Sequence, residues 1–255
     1  MFVRAEGSGP PILLLHAFPL DGRMWSDQVR DLAGDHRVLV PDLPGFGKSP
    51  RPDGNPSLED WALEVIALCK SEGFESALVA GCSMGGYVAF AILRAAPQFV
   101  AGLALVDTRA IVDSQDARRA RYEMVEKARH EGTGFLQSVE LPLGPHTLRA
   151  RPDVVARTKV MLADATPVGV MTAQRAMASR QDSRALLATI RVPTAVVRGE
   201  DDPIVAHAEA ESMANAIEGA KLVTVPDAGH LPPIECPEPV TDVLRAVAAR
   251  TFVRR

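Results

Sequence analysis

A doubly wound α/β fold with a mostly parallel sheet is what this sequence predicts, on three observations. Short apolar runs alternate with longer amphipathic stretches. Most of the runs are rich in Val, Leu or Ile without polar alternation, which is the pattern of strands covered on both faces. The 255 residues suit one large domain, or one core carrying an inserted subdomain.

Taken in order, Ile12 to His16, Val38 to Asp42, Ala77 to Ala80, Leu103 to Val106, Thr194 to Arg198 and Lys221 to Val225 read as strands. Each is too short for a helix. Helical patterns lie near Met24 to Ala33, Leu58 to Ser71, Gly85 to Ala96, Ala206 to Ile217 and Pro239 to Ala249. Strand alternating with helix gives the α/β core. One interval breaks the rhythm. From about Ile111 to Ala188 no strand is legible, and helical segments at Asp116 to His130, Asp153 to Ala163 and Pro167 to Ser179 are separated by Gly and Pro. A helical block between two core strands reads as a cap, residues 111–188, inserted in a core made of 1–110 and 189–255.

Composition removes several function classes. Lys plus Arg number 28 against 32 Asp plus Glu, a net charge of −4, so nothing recruits a polyanion and nucleic acid is not an expected partner. No apolar run approaches the roughly 20 residues that span a bilayer, so no membrane partner is expected either. Cys69, Cys82 and Cys236 have no metal-ligand spacing and read as buried thiols of a reducing compartment. The first ten residues lack a basic start followed by an apolar stretch, so a cytoplasmic location is expected. No metal site and no cofactor are expected, and the sequence leaves the oligomeric state open.

Gly81-Cys82-Ser83-Met84-Gly85 fits G-x-S-x-G. The pattern describes a turn so sharp that the central serine takes strained backbone angles and projects its hydroxyl, with small neighbours letting strand and helix approach. Chance alone supplies roughly 0.1 such matches in a chain of this length. The predicted strand before Ser83 and helix after it supply the context the pattern requires. A serine hydroxyl needs a base. Of six histidines, His230 follows the strand Lys221 to Val225 and so reaches the same sheet edge as Ser83. His36, His130, His146 and His207 lie in polar contexts and read as solvated; His16 reads as support for the loop after its strand. A third group must orient the imidazole and stabilise its charge. Glu200, Asp201 and Asp202 all follow the strand Thr194 to Arg198, and the chain order serine, acid, histidine is the one expected in this fold.

These landmarks, with His16-Ala17-Phe18-Pro19 and Asp42-Leu43-Pro44-Gly45-Phe46-Gly47-Lys48-Ser49, make the chain resemble the α/β-hydrolase family over essentially its whole length. It is most similar to the small capped branch that includes pimeloyl-thioester-protein methyl esterase, 3-oxoadipate enol-lactonase and cofactor-free haloperoxidases. The resemblance implies an oxyanion hole made by the backbone N–H groups of Phe18 and Met84, although the usual His-Gly of that loop is here His16-Ala17. It implies Asp202 as the acid through a Gly-x-x-Asp pattern starting at Gly199, with Pro203 stiffening the turn; Asp201 should point away. Asp107, after the preceding strand, stands where some family members place their acid. Dehalogenase and epoxide hydrolase relatives need a carboxylate at the elbow, which Ser83 is not.

Two other features read as unrelated to the chemistry. Gly45 to Ser49 lacks the glycine spacing of a phosphate loop. Arg118, Arg119, Arg121, Lys127 and Arg129 alternate with acids and read as a solvated helix face. The expected function is hydrolysis of a small carboxylic ester or lactone. Its rivals are a cofactor-free haloperoxidase or perhydrolase on the same three residues, and a ligand receptor on the same fold.

Overall fold

The computed structural model describes residues 1–252. Seven strands form one sheet: β1 (Val3–Glu6), β2 (Pro11–Leu15), β3 (Arg37–Pro41), β4 (Ala77–Cys82), β5 (Val100–Val106), β6 (Thr194–Gly199) and β7 (Lys221–Val225). Their order is β1-β3-β2-β4-β5-β6-β7, parallel except for β1. Six of the seven are the strands expected from sequence, with ends shifted by a few residues. β1 is the one sequence reasoning missed. Its four residues, Val-Arg-Ala-Glu, are half-buried and carry two charges, which suits an edge strand but hides it from a search for apolar runs.

The period-two geometry of the strands divides the core between two faces. Leu13 and Leu15 pack with Trp61 and Val65 of α2 (Leu58–Ser71) and Val88 and Ile92 of α3 (Met84–Ala95). Ile12 and Leu14, one step out of phase, pack instead with Val29 of α1 (Ser26–Leu32) and Leu244 of α11 (Pro237–Thr251). Helices thus cover both faces, and the apolar runs need no polar alternation. The helical pattern read from Met24 divides into a 3-10 turn, Gly22–Trp25, and α1.

Between β5 and β6 the chain makes α4 (Gln115–Glu131), a 3-10 turn at Gly134–Ser138, α5 (Pro145–Ala150), α6 (Pro152–Ala163), α7 (Pro167–Ala178) and α8 (Arg184–Leu187). Ser114 caps α4 and Thr166 caps α7 by accepting backbone N–H bonds, and proline at the first turn starts α5, α6 and α7. α9 (His207–Ala216) joins β6 to β7, and α10 (Pro232–Glu235) precedes α11. Among the described residues no helix is long and apolar enough to cross a membrane. All three thiols are free; Cys69 and Cys82 are buried as expected, whereas Cys236 is only half-buried.

Candidate active site

The C-terminal ends of β4, β5, β6 and β7 bring Ser83, Asp107, Asp202 and His230 to one edge of the sheet, where open α/β sheets place their ligands. Ser83 joins β4 to α3 with φ 52 and ψ −112, a conformation that costs a non-glycine residue about 1–3 kcal/mol. The surroundings hold it there. Its N–H donates to Val106 O at 2.9 Å, and its own carbonyl accepts from Gly86 N and from Thr108 Oγ1. The flanking glycines are required by contact. A Cβ on Gly81 would lie 2.3 Å from Gly85 O, and one on Gly85 would lie 2.2 Å from Leu15 O.

His230 Nε2 lies 2.8 Å from Ser83 Oγ, and its Nδ1 lies 2.9 Å from Asp202 Oδ2. Asp202 Oδ1 accepts from Ile204 N at 2.7 Å, and Arg198 donates to the carbonyls of Glu200, Asp202 and Val205, stapling the turn that carries the acid. Asp201 and Glu200 point to solvent, as expected for Asp201 from strand alternation. Burial works to raise the Asp202 carboxyl, but bonding to His230, its charge and a bond to Asp107 leave it below the usual carboxylate range. An ionised Asp202 requires the proton on His230 Nδ1, which leaves Nε2 to accept the Ser83 hydroxyl.

Asp107 lies behind this pair. Its carboxyl accepts from Gly199 N at 3.0 Å and touches Asp202. Burial, then the bond and charge of Asp202, push it well above the usual carboxylate range, against the pull of Gly199 N–H and Arg198. Asp107, Asp202 and His230 offer three ligand-type atoms within 4.8 Å of one another, the only such group among the described residues. The donor set does not suit a metal, because a cation there would displace His230 Nδ1 from Asp202 and leave His230 without its partner.

The loop carrying His230 is held by a residue that sequence reasoning missed. Glu235, buried at the start of the last helical region, accepts from Gly229 N and Leu231 N at 3.0 Å and from Gly144 N at 2.7 Å. His230 N donates to Pro142 O at 2.7 Å. The segment between β5 and β6 is therefore bonded directly to the histidine loop. A buried glutamate between prolines carries no local sequence signal for this.

Ser83 and His230 open into a cavity of about 280 Å³. The core contributes Phe18, Leu20 and Tyr87; the segment between β5 and β6 contributes Met124, Leu136 and Leu162. Arg121 also lines it, which corrects the reading of that residue as part of a solvated face. Arg118, Arg119, Lys127 and Arg129 do face solvent. Phe18 and Met84, the residues implied for an oxyanion hole, flank Ser83 from the loop after β2 and the first position of α3. Neither backbone N–H has a hydrogen-bond partner among the described residues.

The remaining histidines sort clearly. His16 is buried; burial pushes its ring below the usual histidine range, so Nδ1 donates to Ala17 O and Nε2 accepts from Leu43 N at 2.8 Å. It ties the loop after β2 to the loop after β3, where Asp42 accepts from Gly22 N and Lys48 N. His130, His146 and His207 are exposed, but His36 is largely buried beside Asp35, a departure from the solvated reading. Cys82, next to the serine, is buried and its thiol is pushed well above the usual range, mainly by desolvation.

Comparison with known proteins adds an independent line. The family profile described as alpha/beta hydrolase fold matches residues 10–237. The chain is 32% identical over 252 residues to pimeloyl-[acyl-carrier protein] methyl ester esterase of Sodalis glossinidius, covering 96% of each chain. It is 28% identical over 245 residues to 3-oxoadipate enol-lactonase 1 of Acinetobacter baylyi, covering 92% of this chain and 87% of that one. Among solved structures, a thermophilic esterase from Thermogutta terrifontis with malate bound superposes with a TM-score of 0.93 at 42% identity, over 96% of this chain and 91% of the other.

Proposed function

This chain belongs to the α/β-hydrolase family, and on that premise we propose that it hydrolyses a carboxylic ester or lactone of a small acid through an acyl-enzyme on Ser83. The observation that carries the reading is the continuous bond chain Ser83 Oγ, His230, Asp202, at 2.8 and 2.9 Å, opening into a mostly apolar cavity.

In this reading Ser83 Oγ attacks the carbonyl while its proton passes to His230 Nε2. Asp202 keeps the imidazole in the required tautomer and stabilises its positive charge. The N–H groups of Phe18 and Met84 receive the developing oxyanion; being already unpaired, they need not break other bonds to do so. His230 then protonates the leaving oxygen and, in the second half, takes a proton from the water that releases the acid. Apart from that water, the groups used in each step belong to the chain itself. Residues 111–188 act as a cap over the core formed by 1–110 and 189–255, since they line the cavity opposite Ser83 and bond to the His230 loop. The esterases and the enol-lactonase among its relatives support the substrate class.

The test is covalent labelling. A fluorophosphonate should modify Ser83, detected by peptide mass spectrometry, and abolish cleavage of 4-nitrophenyl butyrate. Label on another residue, or full activity in Ser83→Ala, overturns the reading. Turnover seen only with halide and peroxide assigns the site to the haloperoxidase alternative.

A further inference from the structure

Behind one wall of the cavity lies a charge cluster that is not balanced within itself. Asp113, just before α4, faces two guanidinium groups: Arg121 on α4 and Arg180 just after α7. Burial works against ionisation of Asp113, yet the bonds and charges of Arg180 and Arg121 draw its carboxyl down to about 2. One carboxylate against two guanidinium groups leaves one net positive charge. The Asp113 and Arg180 side chains are only 5% and 4% exposed and that of Arg121 is 20% exposed, so the cluster is largely withdrawn from solvent.

The two arginines differ in how fully they are used. Arg180 is committed: Nη1 bonds Asp113 and Met177 O, Nη2 bonds Ile111 O, and its plane lies 4.4 Å from the Tyr87 ring centroid. Arg121 is not. Its Nε and Nη2 meet Asp113, while Nη1 donates to Gln174 Oε1 at 3.0 Å and to Met177 Sδ, a weak acceptor, at 3.4 Å. One Nη2 hydrogen has no partner among the described residues, and Arg121 lines the same cavity as Ser83. The other charged side chain lining the cavity, Glu140, is exposed to solvent, which makes it a poor counter-charge for Arg121. A partly buried cation that is not neutralised by the protein is stabilised by an anion from the ligand. The apolar walls at Met124, Leu136 and Leu162 suit a short hydrocarbon spacer.

We infer that the cavity selects esters bearing a second, free carboxylate, such as half-esters of short dicarboxylic acids, and that Arg121 binds that carboxylate. The inference rests on the proposed ester hydrolysis at Ser83 and deepens it. Arginine suits the role because its planar fork matches a carboxylate and never loses its charge.

The experiment compares mono-4-nitrophenyl glutarate with 4-nitrophenyl butyrate, which differ by the terminal carboxylate. The wild-type protein should prefer the glutarate half-ester through a lower KM. In Arg121→Gln the ratio of kcat/KM values, half-ester over butyrate, should fall about ten- to hundredfold, carried mainly by KM. Arg119→Gln, which removes an equal charge from the exposed face of the same helix, should leave the ratio unchanged. Calorimetry on the wild-type protein covers the case in which Arg121→Gln does not fold: glutarate should bind about tenfold more tightly than butyrate. An unchanged ratio in Arg121→Gln, or equal binding of glutarate and butyrate, overturns the inference while leaving ester hydrolysis in place. Failure of the wild-type protein to cleave either ester overturns the proposed ester hydrolysis itself, with calorimetry still deciding whether the cavity favours a second carboxylate.

Discussion

Asp107, the residue after β5, and Asp202, in the turn after β6, bring their carboxyl groups together behind His230, and the two sit on opposite sides of the normal carboxylate range. Two buried carboxylates in contact do not both ionise, so one proton stays on the pair. Asp107, with fewer positive partners, keeps it; Asp202, bonded to His230, gives it up. The rivalry between these residues as the acid, open at the level of sequence, thereby acquires a physical asymmetry.

Asp202→Asn should lower kcat by about 10³–10⁴, because an amide favours the wrong imidazole tautomer. Asp107→Asn should lower it by less than about tenfold, since an amide still donates toward Asp202 and accepts from Gly199 N. Steady-state kinetics on both variants decides; a crippled Asp107→Asn beside an active Asp202→Asn would make Asp107 the acid.

Glu235→Gln should destabilise the fold by about 1–3 kcal/mol, because it replaces one of two acceptor oxygens in a ring of three backbone N–H donors with a fourth donor. The His230 loop loses its anchor at the same time. Thermal melting should show the loss of stability, and fluorophosphonate should react more slowly with Ser83. An unchanged melting temperature would mean the loop is held elsewhere.

The Asp113 cluster predicts an acid limb of stability. Its folded value of about 2 lies below the unfolded carboxylate value of about 3.9. The stabilisation is complete above the unfolded value and is lost as pH falls through the folded one. The melting-temperature advantage of the wild-type protein over Asp113→Asn should therefore shrink between about pH 4 and about pH 2. A constant difference across that window would show that Asp113 is not ionised against the arginines.

Strong chelators should leave the rate of ester cleavage unchanged, since His230 Nδ1 is bonded to Asp202 rather than free for a cation. Loss of activity on chelation, restored by added metal, would assign Asp107, Asp202 and His230 to a metal site instead.

The fold and the strained elbow at Ser83 were legible in sequence for local reasons. A strand covered on both faces has to be apolar throughout, so β2 and β4 announce themselves; β1, half-buried at the edge, does not. Gly81 and Gly85 are dictated by backbone oxygens 2.3 and 2.2 Å from where their Cβ atoms would stand, and that demand is written within five residues of chain. Arg121 illustrates the opposite case. On α4 it alternates with acids like its exposed neighbours, and only the packing of α4 against α7 turns it inward to the cavity.

By itself, then, the sequence determined the alternation of strand and helix, the elbow at Ser83, and which loops bring His230 and Asp202 to one sheet edge, because each depends on residues close in the chain. Tertiary structure alone decided that Asp202 rather than Asp107 meets His230 Nδ1, that Glu235 and Pro142 hold the histidine loop, and that Arg121 turns into the cavity beside Asp113 and Arg180. Protonation, anchoring and field at a buried point are sums over groups far apart in sequence, and those sums exist only once the strands have brought the groups within a few ångströms of one another.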